Sequence, residues 1–267
     1  MGKHGSLTDT LIFANINSKT REITLISIPR DLYINGRKIN SIYYFYGIDE
    51  LKRQIERISG YKIDHHILVD MYVFIDLIDL VGGIDIHLDQ PVSDPTYRTF
   101  DDGKWGTMYF EAGDHHLNGK QALRLARSRH TSSDFARAER QQELIKAMKN
   151  KAQEMGFGDI DTLKGIIETV LNQTETSISF KEAITYYFRY NGFDIGTHNV
   201  MTSGNVLEST FTAELSGGPV EECTEKVNEE TGEVEKECTV DKGAYILMPR
   251  GNNWNVVKWY FREKLGD

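Results

Sequence analysis

HILVDMYVFIDLIDLVGGIDIHL, residues 66–88, is the stretch on which the fold class turns. His66 to Val69 is a short β-rich run. Tyr72 to Val81 is apolar apart from Asp76 and Asp79 and is closed by Gly82-Gly83, and Ile84 to Leu88 is again of strand length. An apolar run of helical length between two strand-length runs predicts strand–helix–strand. The central run is too short, and too interrupted by carboxylates, to span a bilayer.

The pattern continues in both directions. Upstream, Thr10 to Ile16 and Glu22 to Ile28 predict a β-hairpin turning at Asn17-Ser18-Lys19-Thr20 and ending at Pro29. Leu51, Ile55 and Ile58 predict a helix over 48–58 that stops at Gly60. Downstream, 89–117 is polar and carries Pro91 and Pro95, which predicts a long irregular loop. Helices follow from Asn118 to about Ala126, from Ser133 or Asp134 to Met155, over Asp161–Asn172 and over Ser179–Tyr190. A strand at Ala244–Met248 and a helix from about Asn253 end the chain. Interleaved strands and helices predict an α/β fold with a mixed sheet. No composition break divides residues 1–267, so a single domain is expected. Its motif-bearing core is at about 8–150, and its helical and strand-rich part at 156–267 includes a Glu-rich hairpin at 220–240.

The net charge of −9 argues against a nucleic-acid track. It is unevenly spread. Residues 221–237 hold eight Glu against two Lys, which leaves −3 for the remainder. Against that acidity, 120–140 holds Lys120, Arg124, Arg127, Arg129, Arg137 and Arg140 with only Asp134 and Glu139. A local basic cluster in an acidic protein points to a discrete anion site. Cys223 and Cys238 flank the Glu-rich hairpin and sit symmetrically about Glu230-Thr231. They read as a cross-strand disulfide, which fits an oxidising compartment outside the cytoplasm. Two free thiols in a cytosolic protein is the other reading.

The helix from Asp134 carries the most chemistry. Leu144, Ile145, Met148 and Ala152 form its inward stripe, and Asp134, Arg137 and Gln141 continue that stripe toward the N-terminus. Buried ionic groups need partners, and a helix N-terminus offers free amides, so this end suits a phosphate floor. The plainer reading is an Asp134 cap paired with Arg137. Arg127-Ser128-Arg129, if extended, aims two guanidiniums the same way, either as a pyrophosphate clamp or as a solvated turn. Asp9 and Arg30 stand at strand edges, where a carboxylate suits a hard cation and Arg suits phosphate; alone, either reads as a turn or surface residue. Asp-His-His occurs at 64–66 and 114–116 and resembles a metal-phosphoesterase tripeptide without that family's other aspartates.

Taken in order, these pieces resemble the LytR-CpsA-Psr family of cell-wall phosphotransferases. The matching segments are Thr8-Asp9-Thr10-Leu11-Ile12, Ser27-Ile28-Pro29-Arg30-Asp31, Lys38-Ile39-Asn40 and Val81-Gly82-Gly83-Ile84. Then come Leu117-Asn118-Gly119-Lys120-Gln121-Ala122-Leu123, Arg127-x-Arg129 and Asp134-x-x-Arg137-x-x-Arg140-Gln141-Gln142. Leu7 stands where many members carry Arg.

The resemblance implies a three-layer α/β/α sandwich with a mixed central sheet, here with a C-terminal β-hairpin extension, and a hydrophobic tunnel for a polyprenyl chain. At the tunnel mouth it implies Asp9 at a magnesium ion or another divalent cation. Arg30, Arg127, Arg129, Arg137 and Gln141 would hold a pyrophosphate. Asp134, with Arg127 and Arg129, would serve the chemistry. The implied activity is transfer of a glycopolymer (teichoic acid, capsule or a related polysaccharide) from a polyprenyl-pyrophosphate carrier to a hydroxyl of peptidoglycan or another wall acceptor. It would act at the extracytoplasmic face of the bacterial membrane, with an N-terminal anchor expected ahead of residue 1. The rival readings are a polyprenyl-pyrophosphate hydrolase and a noncatalytic regulator or lipid-carrier binding protein. If the site residues serve one pyrophosphate, they should line one cleft, and its apolar channel should draw on the helices at 48–58 and 72–81.

Overall fold

The computed structural model describes residues 2–4, 7–101, 103–128, 134–154, 160–196, 198–227 and 234–266. Its sheet is built on the expected hairpin, β2 (Leu7–Asn17) with β3 (Glu22–Ile28), antiparallel with Leu11 opposite Ile28. The side-chain oxygen of Asn17 accepts from the amides of Lys19 and Thr20, an Asx turn that fixes the register. β1 (Gly2–His4) lies antiparallel to β2 and parallel to β6 (Ile67–Asp70). β11 (Glu175–Thr176) extends that edge antiparallel to β6. On the other side, β12 (Asp194–Ile195) and β13 (Asn199–Val200) run parallel to β3. The sheet is therefore mixed, as the interleaving of elements predicts.

Helices lie on both faces. Strand β2 sends Leu11 and Phe13 one way, into a core with α1 (Ile39–Ser59) and α8 (Trp254–Leu265). Phe13 meets Phe261 edge-on, with ring centroids 5.2 Å apart. Leu51, Ile58, Val257 and Phe261 are almost wholly excluded from solvent there, each worth roughly 1.5–3 kcal/mol over an exposed counterpart. The tiny hairpin of β4 (Tyr33–Ile34) and β5 (Arg37–Lys38) leads into α1.

A second core joins α2 (Met71–Leu80), α3 (Gly119–Arg127) and α4 (Asp134–Glu154) to four further strands, β7 (Ile84–Leu88), β8 (Val92–Asp101), β9 (Lys104–Phe110) and β10 (Gly113–Leu117). Asp70 caps α2 by accepting from the amides of Tyr72 and Val73. Gly119 opens α3 hard against α2: its amide donates to Asp79 at 2.7 Å, and a Cβ there would stand 2.3 Å from the Ile75 carbonyl oxygen. Asn118 and Gln121 complete that start as a capping box. The Leu117–Leu123 segment is thus a helix start built for close helix–helix approach.

Two expectations are corrected here. Residues 89–117 are not an irregular loop: β8 (Val92–Asp101) pairs with β9 as a hairpin, and β10 pairs with β7. Pro95 is accommodated at a register shift between Asp94 and Arg98, so it bends the strand without ending it. The first long helix starts at Ile39, well before 48, and runs through a kink at Gly47 (φ 78°, ψ −178°). Its early turns present Tyr44, Phe45 and Tyr46 to solvent, which hides the helical period.

Of the remainder, α5 (Ile160–Gln173), α6 (Phe180–Tyr190, capped by Ser179) and β17 (Tyr245–Pro249) follow the sequence reading, whereas β14 (Leu207–Phe211), which pairs with β17, and the short α7 (Thr212–Leu215) were not expected from it. The acidic hairpin is β15 (Val220–Val227) against β16 (Val234–Asp241). Cys223 lies opposite Cys238, and the two form a disulfide as expected.

Candidate active site

Between the sheet and α2–α4 lies a cleft of about 640 Å³. Asp9, Arg30, Arg127, Arg137 and Gln141 all line it, although they are scattered over more than 130 residues of sequence. A smaller recess of about 280 Å³ shares Asp9, Thr10, Arg30, Arg137 and Gln141 with the cleft, so this polar group stands where the two cavities meet. Away from it the cleft wall is mostly apolar, with Met71, Phe74 and Leu77 from α2, Leu123 from α3, and Leu144, Ile145 and Met148 from α4, interrupted by Asp70, Asp94 and Thr96.

Each polar side chain is set by its element. Asp9 and Arg30 sit at the ends of the two hairpin strands, and Arg30 Nη1 donates to Asp9 Oδ1 at 3.0 Å. Arg30 also lies 3.5 Å from Asp31, which Lys38 pairs at 2.6 Å, so the four charges alternate in sign along one line. The Lys38-Ile39-Asn40 segment holds this corner. The buried Thr8 hydroxyl donates to the Asn40 carbonyl, and the Asn40 amide donates to the Arg30 carbonyl.

On α4, Arg137, Gln141, Leu144, Ile145 and Met148 follow helical spacing and all face the cleft, as the stripe predicts. Arg137 is only 6% exposed. Gln141 Nε2 donates to the Ala126 carbonyl, and Arg140 donates to the carbonyls of Leu125 and Ser128. Two side chains of α4 thus satisfy the C-terminal carbonyls of α3, which places Arg127 at the cleft. Burial pushes the Arg140 guanidinium below its ordinary value. Gln142 is buried and donates to Ser27 Oγ and to the Asn199 carbonyl, riveting α4 to the sheet.

The basic cluster therefore divides. Arg124 forms a two-pronged pair with Asp101 (2.6 and 2.7 Å), and Arg140 serves as a helix cap. Arg127 and Arg137, joined by the distant Arg30, face the cleft. Arg129 and the Asp134 side chain lie outside the described residues; the backbone of Asp134 opens α4. The helix expected over 48–58 does not line the cleft, because it packs on the opposite face of the sheet.

Other lining residues escaped the sequence reading. Asp94, Thr96 and Tyr97 come from β8, inside the presumed loop, where Asp94 Oδ1 accepts from Thr96 N and Oγ1 and from Tyr97 N. The Asp-Pro-Thr triplet was the available signal for such a turn. The Arg127 guanidinium lies 6.0 Å from the Tyr97 ring centroid. Neither Asp-His-His tripeptide lines the cleft.

Residues 1–229 match the LytR_cpsA_psr family. The chain is 31% identical over 196 residues to the polyisoprenyl-teichoic acid–peptidoglycan teichoic acid transferase TagV of Bacillus subtilis, a match covering 70% of this chain and 49% of that protein. To TagU of the same organism it is 28% identical over 83% of this chain and 71% of the relative. The chain thus spans about half the length of TagV. In structure, B. subtilis TagV superposes with a TM-score of 0.67 at 24% identity, covering 98% of this chain and 90% of that one. TagT bound to LIIa-WTA superposes at 0.65 and 18% identity, over 98% and 86%.

Proposed function

Because the chain belongs to the LytR_cpsA_psr family, we propose that its cleft takes a polyprenyl-pyrophosphate-linked glycopolymer and passes the glycopolymer phosphate to a hydroxyl of the cell wall. The observation that carries this reading is the meeting of three guanidiniums and a carboxylate with a long apolar wall in one cleft. An isoprenoid tail suits the wall formed by α2, α3 and α4, and a pyrophosphate suits Arg30, Arg127 and Arg137. The smaller recess beyond them leaves room for the sugar end or the acceptor.

In this reaction the acceptor oxygen bonds to the glycopolymer-bearing phosphorus as the bridging oxygen leaves with polyprenyl phosphate. The arginines hold the oxygens on which negative charge grows, in a site walled off from water on its apolar side. Arg129 and Asp134 belong to the same machinery by their position in the motif, with Asp134 orienting the arginines or accepting the hydroxyl proton. Asp9, a hard-oxygen donor beside Arg30, fits a magnesium ion, which needs only one or two carboxylates when phosphate oxygens and water complete its shell. When bound, that ion would supply further positive charge to the phosphates.

The layering we infer is the α/β/α sandwich, supported by α1 and α8 on one face of the sheet and α2–α4 on the other. We also read residues 1–267 as one catalytic domain acting outside the cytoplasm, which the disulfide supports. Among the described residues no helix is long and apolar enough to cross a membrane. A transfer assay with a polyprenyl-pyrophosphate oligosaccharide, magnesium and a peptidoglycan fragment tests the proposal. The expected products are polyprenyl phosphate and a phosphodiester-linked conjugate; free oligosaccharide phosphate in place of the conjugate would mark a hydrolase, and no turnover a noncatalytic binder.

A further inference from the structure

The smaller recess holds two aromatic rings that do not line the cleft, Phe135 from the first turn of α4 and Tyr245 from β17. None of the apolar wall residues of the cleft lines it. Along α4 the cavities follow one another. Phe135 and Ala138 face the recess, Arg137 and Gln141 face both cavities, and Leu144, Ile145 and Met148 face the cleft. At about 1.5 Å per residue, Phe135 and Met148 stand roughly 20 Å apart along the helix, with the polar group between them. Strand β17 is tied to that group. The Leu247 amide donates to the Asp31 carbonyl at 3.0 Å, and Leu32 bridges to Leu247. Tyr245 is 42% exposed and stands opposite Phe211 in the β14–β17 ladder, the two rings edge-on at 6.0 Å. Phe211 thus braces a Tyr245 ring that still lines the recess.

We propose that this recess is the acceptor subsite of the transfer reaction, binding one pyranose ring of the wall glycan with Tyr245 as its stacking platform; the proposal rests on the reading of function given above. The direction of attack assigns the recess. In phosphoryl transfer the attacking and leaving oxygens lie roughly in line through phosphorus. The leaving oxygen belongs to polyprenyl phosphate, whose tail lies along the apolar wall. The incoming hydroxyl must therefore arrive from the opposite side of the polar group, which is where the recess lies. Its oxygen bonds to phosphorus, the bridging P–O bond breaks, and the electron pair of that bond departs with polyprenyl phosphate. The hydroxyl proton passes to Asp134 in the role proposed above, and the backbone of Asp134 opens α4 one residue before Phe135.

The lining suits a sugar better than a purely apolar or purely anionic group. A pyranose presents C–H bonds on its faces and hydroxyls around its rim. The rings of Tyr245 and Phe135 suit the faces, and the carboxylates of Asp9 and Asp31, each with several acceptor positions, suit the hydroxyls. Pockets for drug-sized ligands run to roughly 300–1,000 Å³, so a recess of about 280 Å³ takes a single ring and leaves the rest of the glycan strand outside. Tyr245 is therefore a specificity-determining residue: its ring holds the acceptor and takes no part in the bond changes. Phe135 also packs against the main core, so Tyr245 is the residue to vary.

The test is two-substrate kinetics on the full chain, varying the polyprenyl-pyrophosphate donor and a peptidoglycan fragment separately, with saturation-transfer NMR of the fragment alone as a direct binding readout. Tyr245→Ala should raise KM for the fragment by roughly tenfold, the size expected for one lost ring contact, while donor KM stays the same and kcat at saturating fragment falls far less. Tyr245→Phe and Tyr245→Trp should restore the fragment KM, because the ring and not the hydroxyl holds the sugar. In the NMR measurement the wild type should saturate the sugar-ring protons, and Tyr245→Ala should lose that signal. Tyr44→Ala removes an exposed ring that lines neither cavity and should change neither readout, with thermal melts showing every variant folded. Normal wild-type transfer with an unchanged fragment KM in Tyr245→Ala would overturn the subsite and leave the reaction standing. A raised donor KM in its place would overturn it too, giving the recess to the donor's sugar. If the wild type transfers nothing, the reading of function falls; Tyr245-dependent saturation of the sugar protons would then still support a sugar site in the recess, and its absence would overturn that as well.

Discussion

The two faces of strand β2 are covered differently. Leu11 and Phe13 meet α1 and α8 in a filled core where Phe261 and Val257 are wholly buried. On the reverse face, Thr10 and Ile12 look into a 640 Å³ cleft. Protein interiors are ordinarily packed nearly without voids. A strand that closes one face and leaves the other open separates two tasks: one side holds the sheet together, and the other leaves its apolar wall and three arginines available to a ligand. The comparison makes a definite claim, that changes on the closed face cost stability and changes on the open face cost activity.

The largest expected effect is on the closed face. Phe261→Ala should destabilise the fold by about 3–5 kcal/mol, read from denaturant unfolding, while turnover per folded molecule stays the same. A selective loss of turnover at unchanged stability would break the division. On the open face, Arg30→Ala, Arg137→Ala and Arg129→Ala should each slow transfer by ~10²–10³, with Lys at the same positions restoring only part of the rate because the forked geometry is lost. Thermal melts run alongside should move far less than for Phe261→Ala.

A smaller effect sharpens the comparison within the cleft. Met148→Trp adds bulk to the apolar wall without touching the arginines. Displacing roughly two carrier methylenes at about 0.8 kcal/mol each should weaken carrier binding by more than tenfold, with short-tailed substrate analogues spared. Equal losses for long and short tails would remove the wall from the binding account.

The smallest effect returns to the closed face. The Tyr43 hydroxyl donates to Glu175 at 2.7 Å, and burial, that hydrogen bond and the Glu175 charge push its pKa up to about 12. A tyrosine whose folded pKa exceeds its ordinary value near 10 contributes stability that is complete below that value and is lost as pH rises toward 12. The melting-temperature difference between the wild type and Tyr43→Phe should therefore be constant below pH 10 and shrink toward pH 12. A difference that persists at pH 12 would contradict this assignment.

Legibility from sequence followed the same division. The hairpin, α2, α3 and α4 were readable because their apolar periods are strong and their ends are marked by Asn17, Gly82-Gly83, Asn118 and Asp134. The convergence of Asp9, Arg30, Arg127, Arg137 and Gln141 was legible through motif order. What that order could not convey was the division of labour within the basic cluster. Arg124 is drawn off by Asp101, and Arg140 by the carbonyls at the end of α3. The β8–β9 hairpin was hidden because its strands are largely exposed and bent at Pro95, so neither apolar alternation nor a clean turn marks them. The cleft residues it contributes, Asp94, Thr96 and Tyr97, were hidden with it. The start of α1 was missed because aromatic residues at 44–46 face solvent, where a helical stripe would ordinarily be polar.

The central claim is that a carrier lipid lies against the open face. Its most direct test is photocrosslinking with a diazirine-bearing polyprenyl phosphate, followed by peptide mapping. Crosslinks should fall on Phe74, Leu77, Leu123, Ile145 and Met148, and an excess of unlabelled carrier should suppress them. Crosslinks concentrated on α1 or α8, or spread over the surface and insensitive to competitor, would contradict the account.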